Sequence, residues 1–562
     1  MTQKPSNDQS GFELLQTIDP KGIADESVRR TVEILLNLVE ELNSKVKGLE
    51  LENQHLRDEN NRLKGEQGKP DIKAKNNKGN HGNHSSEKER QTPKKHSKGN
   101  KNESIKIDRE EILEYPKQLL PADAQFKGYE EVIVQDIKLI TDNVLFRKQK
   151  YYSPSEGKTY LAELPLGYEG EFGPGVKALV ISLYYGGNMT QGKLLEFLED
   201  IGISMSAGHL SNNLIKNHSD FESEKSEIYE AGLASSPWHH FDQTGARVGG
   251  VNHTTNVVCN PLYTVYFTTP KKDRLSVVKG LQNGQELELI LNPLTYKLLE
   301  NFQLPIKWKN ALKLLPQETV FSCTQFDALL DTYLPKLGSV QRTRVLEAAA
   351  IAFYHQQTDW PVVHTLLCDD APQFKLITDD LALCWVHEGR HYKKLSPVVA
   401  YHQEVLDEFL DEFWDYYREL LAYRDSPSAE LAPELKSKFW NLFDTKSGYE
   451  QLDERKRLTA AKASELLLVL QHPELPLHNN PAELAARTMI QRRNISYATQ
   501  TTEGTRAWDT FMSLVATTRK LGISFFEYVR DRISQSRIIP SLATIIREKS
   551  SVNPFGWSWQ PE

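Results

Sequence analysis

The sequence predicts a multidomain protein of the α/β class, and three observations support this prediction. A chain of 562 residues is longer than one hydrophobic core usually supports. Apolar residues recur in heptads near the N-terminus, which is typical of a coiled coil. Further along the chain, short apolar runs that suit buried strands alternate with long helical patterns. We therefore expect an N-terminal coiled-coil helix followed by an α/β core that carries helical insertions.

The heptad pattern lies in residues 25–65. One seam consists of Val28, Leu35, Leu42, Leu49, Leu56 and Leu63, and the alternate seam of Val32, Val39, Val46, Asn53 and Asn60. Asparagine at a seam position fixes register and favours a parallel pair of helices. We expect a homodimer through residues 28–63; the alternative is a single amphipathic helix packed on its own domain.

Two segments around the heptads have compositions that disfavour order. Residues 1–24 are expected to be a flexible N-terminus. Residues 66–106 are rich in Lys, Asn, Gly, Ser and His, so they cannot bury enough apolar area to fold and form a disordered basic linker. The net charge of −8 argues mildly against a DNA partner, but this linker shows that positive charge is regional. A solvated tether and a phosphate-binding segment remain alternatives.

Residues 107–235 are predicted to form a DNA-binding region. The alternating runs EEVIVQDIKLI and NVLFRKQKYY indicate strands of a small domain. A helix, a turn at Gly202 and a second helix begun near Ser204 or Ser206 then follow the pattern of a helix-turn-helix. A helical pair without a DNA-reading role is the alternative.

Residues 236–535 are predicted to form a catalytic domain. Strand-like runs begin at Trp238, a hairpin turn is expected at Asn260-Pro261, and helical insertions are expected at about 281–353 and 396–475. One face of a helix in the second insertion should belong to the core, with Val405, Phe409, Phe413, Tyr416 and Leu420. Residues 536–562 are interpreted as a C-terminal tail.

Three acidic residues are candidate catalytic groups. Asp242 and the pair Asp369 and Asp370 each end a strand-like run, and the ends of adjacent strands can converge on one point. Glu483 lies near the start of a helix for which Asn480 is a suitable N-cap. Three convergent carboxylates suit a pair of Mg²⁺ ions about 3.5–4 Å apart, and such a pair cleaves phosphodiesters in line. The structural alternatives are turn formation by the aspartates and a capping box closed by Glu483.

A second motif offers a competing chemistry. His387-Glu388-x-x-His391 matches the pattern with which zinc proteases hold their metal on one helical face. Gly389 is expected to interrupt the helix that this pattern requires, so a protease is disfavoured. Cys384 with His387 could bind zinc only with two further ligands.

The segments around the acids resemble the insertion-sequence-66 family of bacterial DDE transposases. Residues 242–245, Asp-Gln-Thr-Gly, are close to the family's Asp-Glu-Thr-Gly, and the aromatic residue of 369–374 favours Asp369 over Asp370 as the second acid. Residues 384–390 are similar to the family's Cys-x-x-His-x-x-Arg. Residues 479–483 are similar to its Asn-Asn-x-Ala-Glu signature, and the resemblance spans most of the chain.

The resemblance implies a ribonuclease-H-like core from Asp242 to about Ile533, two Mg²⁺ ions with Mn²⁺ as a substitute, and DNA as partner. The DNA would be the terminal inverted repeats of a mobile element and its target, in the bacterial cytoplasm and nucleoid. Candidate phosphate contacts are Arg487, Arg492, Arg493, Lys393 and Lys394, for which solvated surface charge is the alternative. His387, Arg390 and Asp370 are possible supporting residues.

The sequence also departs from the family. No cysteine precedes Cys259, so the zinc module that relatives carry between the coiled coil and the catalytic domain is not expected. The four scattered cysteines indicate a reducing compartment, and no apolar stretch is long enough to cross a bilayer. Gln243 replaces the usual acid beside Asp242, and the stretch from Asp242 to Asp369 is long. A catalytically inactive DNA-binding protein derived from a transposase remains the alternative to an enzyme.

Overall fold

The computed structural model describes residues 15–63, 105–121, 124–137, 139–168 and 170–553. Over these ranges the chain is a mixed α/β protein with a five-stranded mixed sheet, as expected. The predicted linker at 66–106 lies outside the described residues except for its last two positions. Among the helices of the described ranges, none combines the length and apolarity needed to span a membrane.

The first long element is helix α1, Glu26–Leu63, which covers the predicted heptads. Its N-terminal third packs against the helical insertion near residue 400. Leu36 is buried there, and the Glu40 carboxylate accepts hydrogen bonds from the backbone N–H groups of Val398 and Val399 at 2.8 and 2.9 Å. The interpretation of residues 1–24 as flexible is wrong for 15–24, because Leu15 and Ile18 pack against the same core.

The strands expected before residue 149 are absent from the described residues. The end of the predicted run NVLFRKQKYY does form a strand: β1, Lys150–Ser153, pairs with β2, Lys158–Leu161. In the run EEVIVQDIKLI, Val132 and Ile137 are 76% and 77% exposed. The prediction fails because an alternating pattern forms a strand only where a neighbouring strand and a covering layer exist.

Four helices follow: α2, Pro174–Ile181; α3, Gln191–Asp200; α4, Ala207–Ile215; and α5, Ser219–Ala234. The predicted helical pair corresponds to α3 and α4, joined by a turn in which Gly202 has a φ of +81°. Ser206 caps α4 by accepting a hydrogen bond from His209 N–H at 3.2 Å. The two helices are confirmed, whereas a DNA-reading role remains a prediction.

The first half of the sheet is an antiparallel meander of β3, Trp238–Val248, β4, Val251–Cys259, and β5, Thr264–Thr269. Gly249 and Gly250 make the β3–β4 turn with positive φ values of +55° and +81°. The turn predicted at Asn260-Pro261 joins β4 to β5, with Asn260 N–H donating to Tyr263 O at 3.2 Å.

The first insertion is largely helical but also contains two short strands that the sequence analysis did not identify. Its elements are α6, Arg274–Leu281; β6, Glu288–Ile290; α7, Pro293–Asn301; α8, Ile306–Leu312; β7, Val320–Ser322; α9, Cys323–Tyr333; and α10, Ser339–Gln356. The strands β6 and β7 pair antiparallel in a sheet of their own.

Two further strands complete the central sheet: β8, Thr365–Cys368, and β9, Asp380–Leu383. The strand order is β5-β4-β3-β8-β9, and β8 is parallel to both β3 and β9. The interpretation of Asp242 as the end of a strand is wrong, because β3 continues to Val248 and pairs with β8 only over its first three residues, Trp238 to His240. The strand extends further because β4 pairs with it from His240 to Val248.

The second insertion consists of α11, Trp385–Tyr392; α12, Ala400–Asp425; α13, Leu431–Asp444; α14, Glu450–Ala460; and α15, Ala463–Leu466. The five aliphatic and aromatic residues predicted to be core on α12 are all buried. Gly389 lies inside α11 and does not interrupt it. A glycine is required at this position because a Cβ would lie 2.6 Å from the ring of Trp414.

The chain ends with α16, Asn480–Ser496; α17, Thr502–Leu521; α18, Phe525–Ile533; and α19, Leu542–Val552. Helix α16 packs on β3 and α17 on β5. The interpretation of 536–562 as a tail is wrong for α19, which packs on α5 and buries Leu542, Ala543 and Ile546. Residues 554–562 lie outside the described residues.

Candidate active site

The pairing of β3 with β8 brings two candidate acids to the same edge of the sheet. Trp238 is opposite Thr365 and His240 is opposite Leu367. Continuing this register by two residues places Asp242 opposite Asp369. The Asp369 carboxylate accepts a hydrogen bond from Ala371 N–H at 3.2 Å, so the backbone just after β8 fixes its position.

The third acid is brought to this edge by Asn479, the residue that precedes α16. The Asn479 side chain donates to Phe241 O at 2.7 Å and pairs with His240 Nδ1 at 2.9 Å. Both partners are on β3, directly before Asp242. Since Asn479 is itself fully buried, it fixes the start of α16 on β3, four residues before Glu483.

Both of the other candidate acids act on the electrostatics of Asp242. The pKa of Asp242 is raised to about 6, mainly by burial and to a smaller extent by the negative charges of Asp369 and Glu483. The backbone N–H of Gln243 and the charge of Lys272 act in the opposite direction without cancelling the increase. A carboxylate in this position is stabilised by any cation that enters the site.

Glu483 has cationic neighbours on α11. Arg390 donates to its Oε2 at 3.2 Å through both Nη atoms, and His387 Nδ1 lies 3.6 Å from its Oε1. The predicted capping box is not formed: the N-cap of α16 is Asn479, one residue earlier than expected, and no side chain caps this helix. The carboxylate of Glu483 therefore has no capping role.

Asp370 belongs to a different network from Asp369. It forms ion pairs with Lys462 at 2.6 Å and with Lys375 at 2.9 Å. Burial alone would raise the pKa of Asp370, but the hydrogen bonds from both lysines hold it below its usual value. The charge of Asp370 is neutralised by the protein, whereas that of Asp369 is not matched by an ion pair among the described residues.

The zinc-protease interpretation is wrong. Glu388, which would have to activate water, is buried and bound by Arg455, Thr459 and Lys462. His387 is directed to Glu483, and no metal-binding group within the described ranges contains both His387 and His391. In this motif, Glu388 ties α11 to α14.

Cys384, His387 and Glu483 offer ligand atoms within 4.8 Å of one another. Burial raises the pKa of the Cys384 thiol to about 12, and its sulfur accepts a hydrogen bond from Asn479 N–H at 3.2 Å. Zinc needs the thiolate form, so this thiol is a poor ligand. Carboxylate oxygens suit a hard divalent cation better than a thiol does. Within the described residues, however, Asp242, Asp369 and Glu483 do not all bring an oxygen within 4.8 Å of one another.

The predicted phosphate contacts differ in their placement. Arg487, Lys393 and Lys394 are exposed, and Arg493 is half-buried. Arg492 is fully buried, with its guanidinium 3.9 Å from the ring centroid of Tyr184. The interpretation of Arg492 as a phosphate contact is wrong because an interior side chain of this kind has no surface to offer DNA.

Sequence reasoning missed two residues of this region. Lys272 is close enough to lower the pKa of Asp242, and the basic stretch of residues 270–274 was the available signal. Gln243 donates to Asn256 Oδ1 at 2.6 Å and accepts from Gln373 Nε2 at 2.8 Å. Its amide therefore ties β3 to β4 and to the turn after Asp369, a role that its position beside Asp242 does not reveal.

Comparisons with known proteins extend these observations. The sequence matches the family model described as "Transposase IS66 family" over residues 356–507. This range contains Asp369 and Glu483, whereas Asp242 lies before it. The chain is also similar to y4jO, an uncharacterized protein of Sinorhizobium fredii, with 31% identity over 330 residues. That alignment covers 58% of this chain and 100% of the relative.

Proposed function

Since the chain belongs to the IS66 family of transposases, we propose that it binds the ends of a mobile element, cuts the DNA strands there and joins them to target DNA. The observation that carries this proposal is the convergence of three partly buried carboxylates at one edge of the sheet, where Asp369 and Glu483 raise the pKa of Asp242. Such a cluster is electrostatically unfavourable without a cation.

The sheet supports a ribonuclease-H-like core for residues 236–535. Three antiparallel strands, β3 to β5, are extended on the other side of β3 by the parallel strands β8 and β9. Within this core, residues 281–353 and 396–475 are proposed as insertions. The candidate acids lie within β3, directly after β8 and near the start of α16.

Asp242, Asp369 and Glu483 would hold the divalent cation that this chemistry needs, Mg²⁺ or Mn²⁺. Carboxylate oxygens are the preferred ligands of these ions, and two of them together activate an attacking oxygen and stabilise a leaving one. Arg390 and His387 orient the Glu483 carboxylate through their contacts on α11. Asn479 holds α16 against β3 and so sets the position of Glu483 relative to Asp242.

DNA would approach this edge along a basic surface. The residues proposed to contact phosphates are Arg487, Arg493, Lys393, Lys394 and Lys272. Of these, Lys272 lowers the pKa of Asp242. Helices α3 and α4 are proposed to read the terminal inverted repeats. Affinity should fall steeply with salt because phosphate contacts release counterions.

We also propose a homodimer, formed through the C-terminal part of α1. Packing on the helical insertion covers part of the predicted seam, since Val32 and Val39 contact that core. Beyond residue 41 the seam is open: Leu42, Leu49 and Leu56 are 54%, 64% and 58% exposed. The proposed pairing segment is therefore residues 42–63 rather than 28–63, and its heptad spacing fits a second copy of the same helix.

Sedimentation equilibrium of Leu49→Lys tests the pairing. A charge in the seam should convert the dimer to a monomer, whereas Ser44→Lys, on the exposed face of the same helix, should leave it intact. A monomeric wild-type protein at micromolar concentration would contradict the proposal.

A strand-cleavage assay on the ends of the element tests the enzymatic function. The wild-type protein with Mg²⁺ should nick the ends and join them to a second DNA, whereas Asp242→Asn, Asp369→Asn and Glu483→Gln should do neither. Full activity of any of these variants removes that residue from the proposed site. Specific binding by the wild type without metal-dependent cleavage would instead favour an inactive DNA-binding derivative.

A further inference from the structure

Helix α16 carries one continuous stripe that begins at Glu483. Its opposite face is buried through Ala482, Ala485, Ala486, Met489 and Arg492. Positions 483, 487, 490 and 494 follow each other at intervals of three and four residues, so they share one side of the helix, and Tyr497 directly follows its last residue. Arg487, Asn494 and Tyr497 are exposed, and Glu483 and Ile490 are half-buried.

Tyr497, at the end of this stripe, has an unusual backbone. Its φ is +62° and its ψ is −56°, and Ala498 N–H donates to Ser496 O at 2.7 Å. These values describe a γ-turn with positive φ, a rare and strained conformation. The ring is 79% exposed, so packing of the side chain does not account for the strain. Strain of this kind at a surface position is a feature of binding sites.

The γ-turn is fixed by the chain that follows it. Thr499 N–H donates to Arg247 O at 3.3 Å, and Gly249 N–H donates to Thr499 O at 2.9 Å. Both partners belong to the β3–β4 hairpin, so Tyr497 is attached to the strand that also carries Asp242. The position of the ring relative to the acids is therefore set by regular secondary structure on both sides.

Tyr497 lines a shallow cleft together with two arginines. Arg247, at the tip of the hairpin, and Arg493, on α16, contribute the guanidinium groups. Gly245 makes room for Arg493, because a Cβ at this position would lie 3.3 Å from Nη1. An exposed aromatic ring and two guanidinium groups lining one cleft are the combination by which proteins bind single-stranded nucleic acid, through base stacking and phosphate contacts.

We propose that this cleft binds an unpaired nucleotide of the DNA, with Tyr497 stacked on the base and Arg247 and Arg493 on the neighbouring phosphates. The inference rests on the proposed function, since it places a DNA strand along α16. Fourteen residues of helix separate Glu483 from Tyr497, which corresponds to about 21 Å. At about 3.4 Å per nucleotide of a strand, the bound base lies about six nucleotides from the cut phosphate.

Two substitutions at Tyr497 test whether the aromatic ring contributes to DNA binding. Tyr497→Phe keeps the aromatic face and the strain, whereas Tyr497→Gly removes the ring and accepts a positive φ without penalty. Because the ring is exposed, Tyr497→Phe should retain the thermal unfolding midpoint of the wild type, and Tyr497→Gly should not fall below it, since glycine relieves the positive φ. All binding is measured by fluorescence anisotropy with the full-length chain in the Asp369→Asn background, so that no strand is cut.

Two DNA substrates carry the end sequence of the element: one fully paired, and one with an unpaired gap centred six nucleotides from the cut. Tyr497→Gly should weaken binding of the gapped DNA by about 5- to 150-fold and leave the paired duplex unchanged. Tyr497→Phe should bind both within about twofold of the parent, since its ring still stacks. 2-Aminopurine at the sixth nucleotide should lose fluorescence with the parent and with Tyr497→Phe, but not with Tyr497→Gly.

Equal affinity of the Tyr497→Gly variant and the parent for the gapped DNA would overturn the inference. Equal losses on both substrates would also overturn it, because stacking on an unpaired base has no counterpart in the duplex. The proposed function fails separately: in that case the wild-type protein itself would neither bind nor cut the ends of the element.

Discussion

Two acidic clusters lie side by side after β8, and they differ in how their charge is balanced. Asp369 faces Asp242 and Glu483, and the mutual repulsion of these groups adds to the effect of burial on the pKa of Asp242. Asp370, the next residue, is paired with Lys462, which also pairs with Glu388. The protein neutralises the second cluster and leaves the first in excess of negative charge. The paired charges of Asp370 and Glu388 indicate a structural role. The unbalanced negative charge of Asp242, Asp369 and Glu483 is the reason for proposing that a cation binds there.

The largest expected effect separates the two adjacent aspartates. Asp369→Asn should lower the rate of strand nicking by about a thousandfold or more, because a metal-holding carboxylate contributes several kcal/mol to the reaction. Asp370→Asn removes only a contact to Lys462 and Lys375 and should cost less than about tenfold. Initial nicking rates measure both. The reverse order would make Asp370 the second acid.

The second effect is on stability and belongs to the neutralised cluster. Glu388→Ala should lower the free energy of unfolding by about 3–5 kcal/mol, because it leaves Arg455 without its buried partner and removes one of the two carboxylates that pair with Lys462. Glu404→Ala, at an exposed position of α12, is the matched control and should change stability by less than about 0.5 kcal/mol. Denaturant unfolding measures the difference. A stable Glu388→Ala protein would mean that the network does not hold the insertion in place.

The third effect is the pH dependence of the unneutralised cluster without divalent ions. Folding raises the pKa of Asp242 from 3.8 to about 6, so its stabilising contribution is present below pH 3.8 and is lost as the pH rises through 6. Asp242→Asn should therefore be more stable than the wild type at pH 8, by about 2–3 kcal/mol, and equally stable near pH 3.5. Thermal unfolding in EDTA tests this, with Asp444→Asn at an exposed position as control. A constant difference across the pH range would contradict it.

The smallest effect is stabilisation by the cation. At a tenfold excess of Mg²⁺ over its dissociation constant, the wild type should gain about 1.4 kcal/mol. Asp370→Asn should gain the same, whereas Asp369→Asn should gain little. The shift of the thermal midpoint with Mg²⁺ concentration measures this. A response in Asp369→Asn equal to that of the wild type would place the cation elsewhere on the protein.

The local parts of the fold could be predicted from the sequence. Heptads give α1, and the Asn260-Pro261 turn, the core face of α12 and the helical pair around Gly202 follow from spacing and turn residues. The candidate acids were accessible because each ends an apolar run or begins a helix. Their convergence required the β3–β8 register, which joins residues far apart in the chain.

Tertiary contacts explain where prediction failed. Helix propensity argued against a helix through Gly389, but the close approach of Trp414 requires a residue without a side chain there. Arg492 looked like surface charge, but it is buried against Tyr184 and Trp508. The packing of α1 could not be predicted because Glu40 contacts Val398 and Val399, which are 358 and 359 positions further along the chain. In each case a distant residue decides the outcome.

The cap that Glu40 places on α12 has a practical consequence for shortened chains. Helix α12 has no capping side chain of its own, so a protein begun after residue 63 would lose the acceptor for the N–H groups of Val398 and Val399. It would also open the pocket that Leu36 fills. Helix α1 thus stabilises the helical insertion, in addition to its proposed role in forming the homodimer. Removing α1 would therefore weaken the helical insertion around α12.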